Sequence, residues 1–397
     1  MKLLPTCLLL LAAALPAAAQ TPTPVPAPTP VAAPTPVPPP PTLSARSYVL
    51  MDFDSGAVLA SREPEMVVEP ASITKVMTSY IVAAELAAGK VKLDDPVFIS
   101  ETAWRRGGAG TDGSTSFLQV KSSVPLEVLL RGMVVQSGND ASIALAEHLA
   151  GSEETFASLM NEYAARLGLT ATRYLNATGL PADGHVTTAL DVARLGRALI
   201  RDFPEHYQQY SIKEYTWNGI TQHNRNTLLW RDPSVDGIKT GHTSRAGFCL
   251  ATSAKRGDMR LIAVVMGTAS EKVRADESQA LLNYGFRFFE ASTLYAAGAE
   301  VAAPELWKGE APKARLGLAA DARVTIPRGS YGRLQAAVNV PKPLLAPLAK
   351  DQPVGNLVVK LDDKVIFEAP LVALEDYPEG GFFKRLGDAV LLWWSSD

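Results

Sequence analysis

The chain has 397 residues, with 38 Lys and Arg against 41 Asp and Glu, for a formal net charge of −3. Such a balance, spread along the chain, excludes a basic face for nucleic acid. Its five histidines show no metal-ligand spacing and its two cysteines no Cys pair, which argues against a metal enzyme.

The first residues, MKLLPTCLLLLAAALPAAAQ, join a basic start at Lys2 to an apolar run and the small cluster Ala17, Ala18, Ala19. This layout predicts a signal peptide over 1–19 and export from the cytoplasm. Cys7 leaves with the signal. Cys249, in the apolar run GFCLATSA, then stands alone and reads as a core residue. Without a second cysteine no intramolecular disulfide can form. A domain of this size buries enough core without one. TPTPVPAPTPVAAPTPVPPPPT, at 21–42, reads as an extended polyproline tether with no packed core.

SYVLMDFDSGAVLASR alternates and turns at DSG, so it predicts a β-hairpin. A helix starts near Ser72, in EPASITKVMTSYIVAAELAAG. PLEVLLRGMVVQ has helical spacing and is interrupted by SGND; ASIALAEHLAG is a further helix ending at Gly151. SEETFASLMNEYAARLG carries a Ser cap, an acidic first turn and a stop at Gly168. TTALDVARLGRALIRDFP starts on Thr and Asp and stops before Pro204. YSIKEYTWNG, VDGIKTGHTS, AGFCLATSAK and MRLIAVVMGT are β-rich runs, predicted to be successive antiparallel strands. RADESQALLNYGFRFFEAS returns to helix. The body is therefore a mixed α/β (α+β) domain: an antiparallel sheet with helices on its faces and a helical cluster after its first hairpin.

Beyond residue 292 the runs are β-type with Gly and Pro turns, which predicts a small, β-sandwich-like domain. The tail PEGGFFKRLGDAVLLWWSSD places Phe382, Phe383, Leu386, Val390, Trp393 and Trp394 on one helical face, with Lys384, Arg385 and Asp388 on the other. It is too short to span a bilayer and suits the plane of a membrane surface. The expected organisation is a signal at 1–19, a linker at 20–42, a catalytic domain at 43–292, a β domain at 293–378 and an amphipathic helix at 379–397.

Ser72 and Lys75 sit three apart in SITK, so a helix brings them side by side. A serine hydroxyl needs a base within reach to become nucleophilic. A lysine in an apolar site loses charge stabilisation and can accept that proton. The helix start also offers the Ser72 backbone N–H to an oxyanion. Taken alone, SITK is better read as a helix cap beside a solvated lysine. Two further motifs change that reading. VVQSGNDAS puts Ser137 and Asn139 in a turn between helices. VDGIKTGHTSRAGF puts Lys239, Thr240 and Gly241 on a strand, where the glycine leaves room for a substrate along the edge.

The order S-x-x-K, S-x-N, K-T-G, with gaps of about 65 and about 100 residues, is the motif set of the penicillin-recognising serine enzymes. With NRNTLLW upstream and NYGFRFF downstream, residues 45–397 resemble the low-molecular-weight penicillin-binding proteins, in particular the type-5 D-alanyl-D-alanine carboxypeptidases of bacterial envelopes. The resemblance implies a β-lactamase/transpeptidase-like catalytic domain. It implies that Ser72 attacks the carbonyl between the terminal D-alanines of a peptidoglycan stem peptide, with Lys75 as base and Ser137 relaying the proton. Lys239 supplies positive potential, Asn139 binds the substrate amide, and the backbone N–H groups of Ser72 and His242 form the oxyanion hole. For the substrate carboxylate the candidates are Thr240, Arg225 and Arg274. It also implies covalent inhibition by β-lactams, no metal or other cofactor, and a periplasmic enzyme held on the outer face of the inner membrane by its tail. One departure stands out: Thr178 occupies the place, before the glycine of NATGLPADG, where the family leads one to expect a histidine.

Three other readings compete. A class A β-lactamase needs a deacylating glutamate in the loop that here reads RYLNATGLPADGHV, which has none. A D,D-endopeptidase uses the same chemistry in a different pocket. An inactive cell-wall-binding module does not require complete motifs.

Overall fold

The computed structural model describes residues 36–111 and 113–394. The expected signal peptide and most of the proline-rich stretch lie outside the described residues. The chain divides into two units. One runs to Ser292 and takes in Thr325–Gly329; the other comprises Thr293–Val324 and the chain from Ser330 onward.

The first unit opens on the expected hairpin, β1 (Ser47–Asp52) and β2 (Val58–Arg62). Its turn closes because Asp52 accepts bonds from both the N–H and the hydroxyl of Ser55. A 3-10 turn, Ala71–Thr74, runs into α1 (Lys75–Ala87). β3 (Pro96–Phe98) and β4 (Ser123–Pro125) form a short ribbon enclosing α2 (Glu101–Gly107). α3 (Leu126–Arg131) loosens into a π-helical turn, Gly132–Gln136, and ends at Ser137 in the left-handed region, φ 71°. Then come α4 (Asn139–Ala150), α5 (Glu153–Arg166) and α6 (Ala189–Asp202). The caps read from sequence form: Ser152 accepts from Thr155 N–H and Thr188 from Asp191 N–H. After a short α7 (Pro204–Tyr207), the ribbon β5 (Glu214–Trp217)/β6 (Ile220–His223) and α8 (Leu228–Arg231), three long strands follow. These are β7 (Val235–Thr243), β8 (Gly247–Arg256) and β9 (Met259–Thr268), and α9 (Glu271–Phe288) comes next.

The sheet order is β2-β1-β9-β8-β7, antiparallel throughout. β7, β8 and β9 pair in sequence as expected and the hairpin adds itself beside β9, but the run YSIKEYTWNG does not join them: its strand β5 turns back on β6 in a separate ribbon. Alternation sorts the two faces. Val49, Met51, Ile262 and Val264 pack with Ile81, Phe156 and Leu199 of α1, α5 and α6. Tyr48, Leu50, Leu261 and Val265 pack with Leu281, Leu282 and Tyr284 of α9. Because both faces are covered, β9 reads as an unbroken apolar run. A further core, including Val97, Ile99, Leu129, Met133 and Ile143, holds the helical cluster together. β7 is an edge strand, and the candidate site lies along it.

The end of the proline-rich stretch is not a free spacer. Val37 packs against the cluster that includes Leu281 and Tyr284, and the Tyr284 hydroxyl donates to Pro38 O at 3.0 Å. An extended Pro segment keeps its carbonyls free and costs little ordering entropy, so the apolar side of α9 captures it.

Beyond α9 the strands are β10 (Phe289–Tyr295), β11 (Glu300–Ala302), β12 (Leu306–Trp307), β13 (Leu316–Gly317), β14 (Ala322–Pro327), β15 (Leu334–Asn339), β16 (Leu344–Leu345), β17 (Pro353–Leu361) and β18 (Lys364–Ala373). Five of them form a sheet in the order β11-β13-β18-β17-β15. Val301, Leu316, Leu357, Val359 and Leu371 are buried. The chain ends in α10 (Phe382–Trp394). Asp388, on the inner side of α10, accepts from Lys308 N–H and from Lys384 Nζ. Its outer side leaves Phe383 85%, Trp393 77% and Trp394 78% exposed. Among the described residues no helix is long and apolar enough to cross a membrane.

Ile262 lies at the centre of the sheet with no exposed surface. Ile262→Ala should lower unfolding stability by about 2–5 kcal/mol in urea titrations. The same truncation at the edge-strand residue Val58, 45% exposed, should cost under about 1 kcal/mol.

Candidate active site

Four separate stretches of chain meet along β7. The 3-10 turn presents Ser72, and Lys75 follows at the first position of α1. Lys75 is fully buried, and its Nζ donates to Ser72 Oγ at 2.9 Å, Asn139 Oδ1 at 2.7 Å and Thr178 O at 2.7 Å. Among the described residues no carboxylate bonds it. Burial first, then the charge of Arg225, lowers its pKa to about 7, against weaker upward pulls from Asp140 and Glu153. An ammonium uses all three acceptors. The neutral amine has two N–H groups and one lone pair. Asn139 Oδ1 and Thr178 O can only accept, so they take the two N–H groups and leave the lone pair facing the Ser72 hydroxyl.

Lys239, on β7, is also buried and donates only weakly, to Thr240 O at 3.3 Å. Burial, with Lys75, Arg225 and Arg274 nearby, holds its pKa well below the usual lysine range. Two buried amines and two guanidiniums therefore share one region. Arg274, on α9, is buried, donates to Gly241 O and pairs with Glu271. Arg225, before α8, is exposed between the buried Asn224 and Asn226.

A cavity of about 390 Å³ opens over Ser72. Ser137, Asn139, Arg225, Thr240, Gly241, His242 and Arg274 all line it, as do Thr178 and Gly179. A larger hollow of about 530 Å³, bordered by Arg256, Phe286 and Arg328, contains no nucleophile–base pair. The predicted residues thus converge, with two differences of detail. Ser137 Oγ is buried without a hydrogen-bond partner among the described residues, so it does not bridge Lys75 and Lys239 here. Gly241 has a packing reason beside substrate space: a Cβ there would lie 3.0 Å from Pro70 O and 3.2 Å from Ala71 Cβ. The glycine lets β7 press against the turn that carries Ser72. The His242 ring stacks on Phe248, with centroids 3.9 Å apart.

Thr178 reaches Lys75 through its main-chain carbonyl, so the identity of its side chain does not enter that contact. Gly179, at φ +82°, is irreplaceable beside it, since a Cβ would fall 1.8 Å from Ala71 O. His185, just beyond the loop, pairs through Nε2 with Thr74 Oγ1 at 2.9 Å and is held neutral by burial, with its pKa near 4.

Sequence reasoning missed three supports. Asp140 is buried and accepts from Thr115 Oγ1 and from the N–H groups of Ser116 and Leu118, folding that loop beside Asn139. Burial pushes its carboxyl up, and these bonds oppose the shift. Arg106, which lines the cavity, pairs with Glu153 at 2.7 Å. Glu153 also accepts from Ala177 N–H, so a glutamate does approach the loop, from another element, with both oxygens engaged. Adjacency to Asn139 was the signal for Asp140; nothing local marked Arg106 or Glu153.

The sequence profile of the D-alanyl-D-alanine carboxypeptidase family matches residues 33–270, and that of the penicillin-binding protein 5 C-terminal domain matches residues 289–379. The D-alanyl-D-alanine carboxypeptidase DacC of Escherichia coli K12 is 45% identical over 355 residues, 89% of each chain. DacA of the same strain is 46% identical, covering 89% of this chain and 88% of its own. The solved structure of penicillin-binding protein 5 from Haemophilus influenzae superposes with a TM-score of 0.82 at 43% identity, over 86% of this chain and 99% of that one. The chain belongs to the D-alanyl-D-alanine carboxypeptidase family of serine peptidases and has the fold of penicillin-binding protein 5.

Proposed function

We propose that this chain is a serine D-alanyl-D-alanine carboxypeptidase that removes the last D-alanine from peptidoglycan stem pentapeptides. The observation that carries the reading is the buried Lys75 amine, 2.9 Å from the Ser72 hydroxyl, with a pKa lowered to about 7. Ser72 Oγ attacks the carbonyl of the penultimate D-alanine while Lys75 Nζ takes its proton. The tetrahedral oxyanion lies between the backbone N–H groups of Ser72 and His242. The C–N bond then breaks. A proton returns to the leaving amine through Ser137, whose unpartnered hydroxyl is free to rotate toward Lys75, Lys239 or substrate. Water hydrolyses the resulting Ser72 ester and frees the enzyme. Thr240, Arg225 and Arg274 receive the terminal carboxylate, Lys239 adds positive potential from beneath, and Asn139 orients the substrate amide. β-Lactams acylate Ser72 because their strained amide presents the same carbonyl. The carboxypeptidase reading is preferred to cross-link cleavage on family membership.

Division of labour in the chain follows as part of the same reading. Residues 43–292 are the catalytic domain, 293–378 a spacer domain, and 379–397 a helix lying in the outer face of the inner membrane. The exposed aromatic side of α10, with Phe383, Trp393 and Trp394, suits the headgroup layer. Residues 1–19 direct export to the periplasm, and the stretch from 20 to 42 joins them to the folded body.

D-Alanine release from a D-Ala-D-Ala-terminated stem pentapeptide should be lost by more than about a thousandfold in Ser72→Ala. Release that persists in this variant would remove Ser72 from its role. The base must be neutral to act, so acylation should fall about tenfold per pH unit below the Lys75 pKa and level off above about 7. A rate that keeps rising to pH 10 would show that Lys75 retains an ordinary lysine pKa. Truncation before residue 380 should free the protein from membrane pellets at unchanged D-alanine release. Retention in the pellet would locate the anchor elsewhere.

A further inference from the structure

The mechanism needs the lone pair of neutral Lys75 to face Ser72, and the Thr178 carbonyl is one of two acceptors that enforce this. What aims that carbonyl is the side chain of Asn176. A trans peptide plane carries its C=O and N–H on opposite edges. In the plane joining Thr178 to Gly179, the C=O end accepts from Lys75 Nζ at 2.7 Å and the N–H end donates to Asn176 Oδ1 at 2.7 Å. The same Oδ1 accepts from Thr178 N–H and Thr178 Oγ1, at 3.2 and 3.0 Å. Asn176 Nδ2 donates to Leu180 O at 2.9 Å. The amide thus spans the whole turn from within, and it is itself buried. The preceding residue is pinned separately: Ala177 N–H donates to Glu153 and Ala177 O accepts from Thr78 Oγ1. The plane that touches Lys75 is held at its N–H end by Asn176, whereas Ala177 has these supports of its own.

We propose that Asn176 is a positioning residue for the reaction: by holding the Gly179 N–H it turns the Thr178 carbonyl onto Lys75, so that the amine keeps its lone pair on Ser72. The inference rests on the proposed roles of Ser72 and Lys75. Without Asn176 the peptide plane is free to rotate, the amine regains a free N–H, and fewer molecules hold the productive orientation. Asn176 does not itself line the cavity, and the proposed substrate-binding side chains of Asn139, Arg225, Thr240 and Arg274 lie on other elements, so the loss falls on acylation more than on binding.

The test uses the folded full chain and a fluorescent penicillin, separating the non-covalent dissociation constant from the first-order acylation rate. Ser72→Ala must not be labelled; labelling there, or none in the wild type, overturns the nucleophile reading and not this inference in particular. Asn176→Ala should acylate at least tenfold more slowly with its dissociation constant within twofold of the wild type. Asn176→Ser, whose hydroxyl makes the same turn more weakly, should recover part of the rate. Asn161→Ala is the stability control, since Asn161 bonds both the N–H and the C=O of Tyr174 in the segment leading to this turn but lies outside it. Wild-type acylation in Asn176→Ala, or a loss no greater than in Asn161→Ala, overturns the inference. Should Asn176→Ala fail to fold, Asn176→Ser decides: a rate at least threefold down at unchanged dissociation constant supports the inference, and a wild-type rate overturns it.

Discussion

A lysine amine buried behind a serine, bonded to three neutral oxygens and to no carboxylate among the described residues, is the constraint on which this molecule is organised. Burying an ammonium is costly, and the chain meets that cost in two ways. Three oxygens satisfy Lys75 Nζ when it is charged, and burial itself, with the charge of Arg225, keeps the neutral form accessible. Each oxygen comes from a different part of the chain: the turn before α1, the start of α4, and the loop before α6. Sheet, helical cluster and loop must therefore all close before the base exists. No single segment forms this site locally, which is why a rigid two-faced sheet core lies under it.

Close approach decides where glycine is found. Gly241 and Gly179 flank the Ser72 turn from opposite sequence regions, one on β7 and one in the loop. In both cases the neighbour a side chain would strike is the stretch Pro70–Ala71. The Ser72 turn is gripped between these two glycine backbones, neither of which puts a side chain of its own against it. Ser137 follows the same logic through conformation, because its left-handed φ at the end of the π-helical turn aims a short side chain into the cleft.

Most of the architecture was legible in the sequence, because period, caps and turn residues agree along the chain. Ser152 and Thr188 cap as their spacing indicates, and the apolar run of β9 is buried on both faces as its composition requires. The order and spacing of the three motifs were enough to group Ser72, Lys75, Ser137, Asn139 and Lys239 into one site. Contacts made by main chain stayed hidden. Thr178 looks like a lost histidine in the sequence, yet what reaches Lys75 is its carbonyl, which every residue has. Glu153 was invisible for the opposite reason: it reads as an acidic residue in the first turn of a capped helix, while its side chain bridges Arg106 to Ala177. The capture of Val37 by the side of α9 was likewise unreadable, because composition describes a segment's stiffness and not what it meets.

The electrostatics of the cleft link binding to reactivity. Lys75, Lys239, Arg225 and Arg274 share the cleft; Asp140 and Glu153, the carboxylates that pull on Lys75, are engaged by other bonds, and Glu271 offsets part of the charge by pairing with Arg274 at 3.1 Å. A field of that sign draws a carboxylate-terminated peptide and, in the same measure, discourages a proton on either amine. When the substrate carboxylate arrives it offsets part of the field. In the proposed mechanism the Lys75 amine then meets the Ser72 proton in a site that favours positive charge more than the empty cleft did. The charge that keeps the base free before binding is thus partly neutralised at the step where the base must become a cation.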